Sequence, residues 1–164
     1  CTSDRFAGDA RACQTVAQML SAIGIKVQLD AQPSTLYFRR WANILPTGSS
    51  EFAATISMFG STTGVGSESM NTILHSPDPE RGLGPNNRHF VSDPAFDAML
   101  AKVDDTFDAT ARDTLTQDAV RYAMAHQLAL PLFFVKASYG VRRDLTLTPR
   151  ADQYTLAMTV RKSN

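Results

Sequence analysis

The sequence predicts an α/β layer architecture with a mixed sheet, on three observations. Helical apolar periodicity and strand-like alternation take turns along the chain, two helices open on aspartate caps, and the last apolar runs repeat every second residue. The length of 164 residues suits one ordinary domain. With 43% hydrophobic and 9% aromatic residues, the chain can build a core rather than remain a disordered tail.

From Asp9, the run ARACQTVAQMLSAIG places Val16, Met19, Leu20 and Ile23 on one helical face, and Gly24 suits the left-handed position after a helix end. Ile25, Val27 and Leu29 then alternate with Lys26, Gln28 and Asp30, the pattern of a strand buried on one face. Pro33 and Ser34 open a second helix through Leu36, Tyr37, Arg40, Trp41 and Ile44, which ends in the turn-rich run Pro46-Thr47-Gly48-Ser49-Ser50. A strand is expected over 54–59, followed by a loop of glycine and small hydroxyl residues over 60–69. A short helix over 70–75 precedes a long turn-rich segment, 76–88, expected to be mobile.

Asp93-Pro94 has the form of an N-cap followed by proline at the first helical position, with Phe96, Met99, Leu100 and Val103 as the apolar face. Asp108 caps a further helix that runs to about Gln127 on a stripe of Ala111, Leu115, Ala119 and Tyr122. The apolar run LPLFFVK around Pro131 reads as a strand. Tyr154, Leu156, Met158 and Val160 alternate with polar or small neighbours and read as another, one-sided strand. The first helix has no strand before it, so its parallel crossover partner is expected upstream of Cys1, and the chain reads as cut from something longer.

Sixteen basic residues balance sixteen acidic ones and are scattered, which argues against nucleic-acid binding because nothing sustains an attraction to phosphate. No stretch approaches the roughly 20 apolar residues of a membrane span. Cys1 and Cys13 are too few for a disulfide framework or a zinc site and say little about compartment. Cys1-Thr2-Ser3 also has the form of the lipid-bearing start of a bacterial lipoprotein, against the simpler reading of a chain boundary.

Several blocks, in order, resemble family 5 of the extracellular solute-binding proteins, the receptors that hand dipeptides, oligopeptides or nickel complexes to ABC importers. They are AQMLSAIGIKVQLD, then ATISMFGSTTG, then NNRHFVSDPAFDAMLAKV, and last LALPLFFVKASYGVRRDLTLTPRADQYTLAMTVR. The resemblance implies a mixed-sheet lobe of a two-lobed periplasmic binding protein, present as a fragment. Residues 1–138 would be most of the C-terminal lobe, and residues 139–164 a tail returning to the other lobe, with the crossing near Ser138 to Gly140. It further implies a periplasmic or otherwise extracytoplasmic setting, a small-molecule solute extending to peptide-like ligands, an ABC importer permease as partner, no cofactor and no enzymatic activity.

The same resemblance puts the ligand-binding residues at Phe59, Gly60, Ser61, Thr62 and Thr63, just past a strand end where open α/β sheets place a crevice. Phe59 matches the family's aromatic position, and Thr62 stands where peptide receptors carry the aspartate that neutralises an α-ammonium group. Thr62 offers only neutral hydrogen bonds, so a neutral, anionic or differently presented ligand fits better than a peptide ammonium. Without the resemblance, the loop reads as a flexible glycine-serine connection.

Asn87 joins the candidate set, with Asn86 and Arg88 as neighbours at the cleft mouth, although turn chemistry explains the asparagines equally well. Trp41 is expected in packing, and His75, His89 and His126 at the surface or as caps. Cys13, on the polar side of its helix, lacks a base. Gly60 and Gly64 bracket Thr62 in a faint likeness to a hydrolase nucleophile elbow, but the central residue is not serine and no helix-forming run follows at once. An assembly module without a small ligand is the alternative. The apolar face of 154–160 is expected to fold back on its own lobe or to join a second copy.

Overall fold

A computed structural model describes residues 1–45, 48–150, 152 and 154–163; the expected turn at Pro46-Thr47 lies outside the described residues. The chain forms two compact units, one of residues 1–57 with 88–90, the other of residues 58–87 with 91–164. The tail, 139–164, lies in the second of them.

In the first unit, residues 1–3 run parallel to residues 30–32. The Cys1 nitrogen donates to the Asp30 carbonyl at 3.0 Å, the Gln32 N–H to the Cys1 carbonyl at 3.0 Å, and the Ser3 N–H to the Gln32 carbonyl at 2.8 Å. Between them lies α1, Asp9–Ala22. The parallel partner of the first crossover therefore includes Cys1 itself rather than lying wholly upstream. Helix α1 has no side-chain cap at Gly8; instead the buried Asp9 carboxylate accepts the Thr2 hydroxyl at 2.8 Å and the Arg5 and Ala10 N–H groups at 2.8 and 2.7 Å. Gly24 ends the helix with φ +87°, as its position predicts.

Two expectations about α1 are corrected. Cys13 is not on a polar face but buried, because it is disulfide-bonded to Cys1, so these cysteines do staple the N-terminal segment to the helix. Conversely, Met19 and Ile23 of the expected core stripe are 64% and 73% exposed. Helix α2, Ser34–Trp41, stops before Ile44 and supplies the unit's core: Tyr37 is buried, stacks on Phe52 at 5.9 Å and meets Phe38 edge-on at 5.1 Å. Trp41 packs edge-on against Phe38, in line with a packing role.

The second unit is built on α3 (Gly66–Ile73), α4 (Pro94–Asp104) and α5 (Ala109–Ala125), around a core of Met70, Phe96, Leu100, Ala119 and Ala123. Asp93 caps α4 through the Ala95 and Phe96 N–H groups, both at 3.1 Å, with Pro94 first in the helix; Asp108 caps α5 through the Ala111 N–H at 2.8 Å. Helix α3 starts earlier than expected. Gly66 is needed there because a Cβ would lie 2.9 Å from Thr116 Cγ2 of α5.

The sheet is smaller than the pattern predicts. Its named strands are β1, Leu145–Leu147, and β2, Val160–Lys162, paired antiparallel with Leu145 opposite Lys162. The expected strands over 25–29, 54–59 and 131–136 have no ladder. An apolar alternating run becomes a strand only when neighbouring strands take its N–H and C=O groups in a ladder, and the Ile25 N–H goes instead to the Leu20 carbonyl at 3.0 Å, closing the end of α1. The alternation over 154–160 is also not a strand: the Thr159 N–H and hydroxyl both bond the Leu156 carbonyl, closing a short 3₁₀ turn at Ala157–Thr159 before β2 begins. The tail thus pairs with itself, while Tyr154 and Met158 remain exposed.

Candidate functional site

The segment before α3 is neither helix nor strand over 54–61 and bends at 62–64, with Phe59 38% exposed. Gly64, at φ +79°, carries the backbone back toward the helix. That turn brings three successive hydroxyls onto one carboxylate. The Ser61, Thr62 and Thr63 hydroxyls donate to Glu68 at 2.7, 2.5 and 2.6 Å, and the Thr63 N–H adds a fourth bond at 2.9 Å. Glu68 lies in the first turn of α3, where the helix dipole favours negative charge. The Thr62 bond goes to Oε1 and the other three to Oε2.

These donors hold the Glu68 carboxyl well below its usual range, from 4.5 to about 2, with the Thr62 and Thr63 hydroxyls the largest causes. It is ionised at any physiological pH. Each hydroxyl has one proton and spends it on Glu68, so toward a solute the three oxygens act as acceptors over a fixed negative charge. The arrangement suits a solute bearing N–H or O–H donors, a cationic donor most of all.

The structure thus joins Ser61, Thr62 and Thr63 in one constellation beside the exposed Phe59 and Gly60. Glu68, missed in the sequence, stands six residues beyond Thr62, bonds to it, and brings a carboxylate to the loop where Thr62 itself has none. An acidic residue in the first turn of a helix that follows a serine-threonine run was the available signal.

Asn87 is not part of this constellation. It is buried, its Nδ2 donates to the His75 and Val91 carbonyls at 3.0 and 2.7 Å, and its Oδ1 accepts the Val91 N–H at 3.1 Å. All three bonds close the turn, so turn chemistry accounts for it. The 76–88 segment is tied down further by the mutual bonds of Asp78 and Leu83 and by Gly84 and Asn86 donating to the Asn71 and Thr72 carbonyls. Gly84 approaches the His75 carbonyl so closely that a Cβ would sit 2.4 Å from it.

His75, expected at the surface or as a cap, is buried with Nδ1 2.7 Å from the Ser76 carbonyl oxygen. His89 is exposed and bonds Thr55, and His126 is the C-cap residue of α5, stacked on Tyr122. Among the described residues no group of His, Cys, Asp or Glu is placed to hold a metal ion, and no helix is long and apolar enough to cross a membrane.

Compared with family models, characterised proteins and solved structures, the chain matches none.

Proposed function

We propose that this chain is the ligand-gripping part of a family 5 solute-binding protein, which captures a small hydrogen-bond-donating solute, peptide-like solutes included, and delivers it to the permease of an ABC importer. The single observation that carries the site is the collar of Ser61, Thr62 and Thr63 hydroxyls on Glu68 beside the exposed Phe59. The ordered sequence blocks supply the family, and one of them, ATISMFGSTTG, contains this loop. The Cys1–Cys13 disulfide fits an oxidising, extracytoplasmic compartment, since cytosolic thiols are kept reduced.

A calorimetric panel of di- and tripeptides, their N-acetylated forms and small polyols tests the reading. Saturable binding of one class, weakened by Thr62→Val, supports it. No binding by any class overturns it. Loss of binding on N-acetylation would assign Glu68 the counter-charge role.

An assembly module is the second reading, favoured by the apolar segment 130–135. There Leu130 is 76%, Leu132 49% and Phe134 99% exposed. Such an exposed apolar cluster suits contact with another chain.

A further inference from the structure

Three guanidinium groups in the first unit lie over aromatic rings: Arg5 over Phe38 at 5.1 Å, Arg40 over Phe52 at 4.9 Å and Arg88 over Trp41 at 4.7 Å. Their charges are handled differently. Arg40 is neutralised by Asp30 at 2.8 Å and by Glu51. Arg5 is exposed, so water solvates it. Arg88 is neither: it is half-buried, has no hydrogen bond or ion pair among the described residues, and its Nε is sealed from solvent without a partner.

A partly desolvated, unpaired cation is costly, and a buried unsatisfied donor calls for a specific explanation. Stacking on Trp41 offsets part of that cost and fixes the guanidinium plane. The fixed plane leaves its edge as an array of N–H donors. The segment is set by its neighbours as well: His89 Nε2 lies 3.1 Å from the Thr55 hydroxyl, and Phe90 takes φ +53°, a conformation a bulky residue adopts only when its surroundings impose it.

We propose that Arg88, stacked on Trp41, is a subsite for a carboxylate group of a small organic solute. One planar guanidinium matches one planar carboxylate by two parallel N–H···O bonds, and a single positive charge balances a single negative one, which a phosphate dianion would exceed. The proposal goes beyond the solute-binding reading and does not depend on it. It concerns residues of the first unit alone, so its readout is separate from the Ser61–Thr63 loop.

Trp41 is the chain's one tryptophan, and its fluorescence therefore reports this contact directly. The protein is titrated with sodium propionate at constant ionic strength against chloride, with propionamide and inorganic phosphate as parallel arms. A single fork contact predicts a saturable change with Kd on the order of 10–100 mM. Propionamide should give none, and phosphate a weaker one.

Arg88→Gln should abolish the response, Arg88→Lys should weaken it at least about fivefold because lysine lacks the fork, and Arg5→Gln should leave it intact. In the unsubstituted protein, the Arg88 Nε–H resonance should shift with the same saturation curve, which keeps the proposal testable if a variant fails to fold. A flat propionate titration, an equal effect of chloride, a tighter response to phosphate, or an unchanged response in Arg88→Gln overturns it. Failure here leaves Thr62-dependent binding untouched, and a Thr62→Val effect without an Arg88 effect would sink this subsite alone.

Discussion

The Thr62 hydroxyl lies 2.5 Å from Glu68 Oε1, so the side chain at the crest of the loop is bonded to the first turn of α3. This contact turns a glycine-serine connection into a held surface. Ser61 and Thr63 repeat it on Oε2, and the four bonds fill most of what one carboxylate can accept. Order in the loop therefore depends on a single ionised group.

Titration of Glu68 should reveal that dependence. Its value in the folded protein, about 2, is below the ordinary 4.5, so its contribution is complete above pH 4.5 and is lost as pH falls through about 2. The Glu68 side-chain carboxyl carbon, followed by NMR, should titrate near 2, and the Thr63 amide should lose protection in that window. A midpoint near 4.5 would mean that the collar does not form. In Glu68→Gln the Thr63 amide should exchange faster at neutral pH and show no transition between pH 4.5 and 2.

Asn87 is expected to matter for folding rather than for binding. Asn87→Ala strands the buried His75 carbonyl and the Val91 amide pair, so it should cost about 2–3 kcal/mol in urea unfolding. Affinity of the remaining folded protein for its solute should be unchanged. A variant of full stability would contradict the turn-closing role.

The Cys1–Cys13 bond closes a loop of sequence separation 12, and chain-entropy arguments put its worth at about 3 kcal/mol. Unfolding midpoints with and without a phosphine reductant should differ accordingly, and a thiol assay on the untreated, denatured protein should find no free cysteine. Two free thiols would overturn the assignment and the compartment argued from it.

Phe134 is 99% exposed, so Phe134→Lys should change stability by less than about 0.5 kcal/mol. Sedimentation velocity over a range of concentrations decides its other role. If the 130–135 segment pairs chains, the unsubstituted protein should show concentration-dependent association that Phe134→Lys weakens; monomers in both would end the assembly reading.

What could be read in the sequence was what is decided locally. The Asp93-Pro94 and Asp108 starts of α4 and α5, and the Gly24 end of α1, depend on cap chemistry within a few residues, and they stand as expected. Strands depend on neighbours. The alternation of Ile25, Val27 and Leu29 says which face wants burial but not whether a ladder exists, and these side chains are 49%, 37% and 41% exposed.

Cys13 was misjudged because its helical position says nothing of Cys1, brought beside it by the parallel pairing of residues 1–3 with 30–32. At the site, Phe59 to Thr63 could be named from the resemblance, whereas Glu68 offered only the signal of an acidic residue in a first helical turn after a serine-threonine run. Its contact with Thr62 depends on the left-handed turn at Gly64, which no spacing rule encodes.

Native mass spectrometry tests the central claim most directly. The protein, purified from cells without refolding, is compared with a Ser61→Ala, Thr62→Val, Thr63→Val variant of matched thermal stability. The account predicts a small solute retained as a discrete mass increment on the unsubstituted protein and lost from the variant. A solute retained equally by both, or a bare protein mass from cells grown in solute-rich medium, would contradict it.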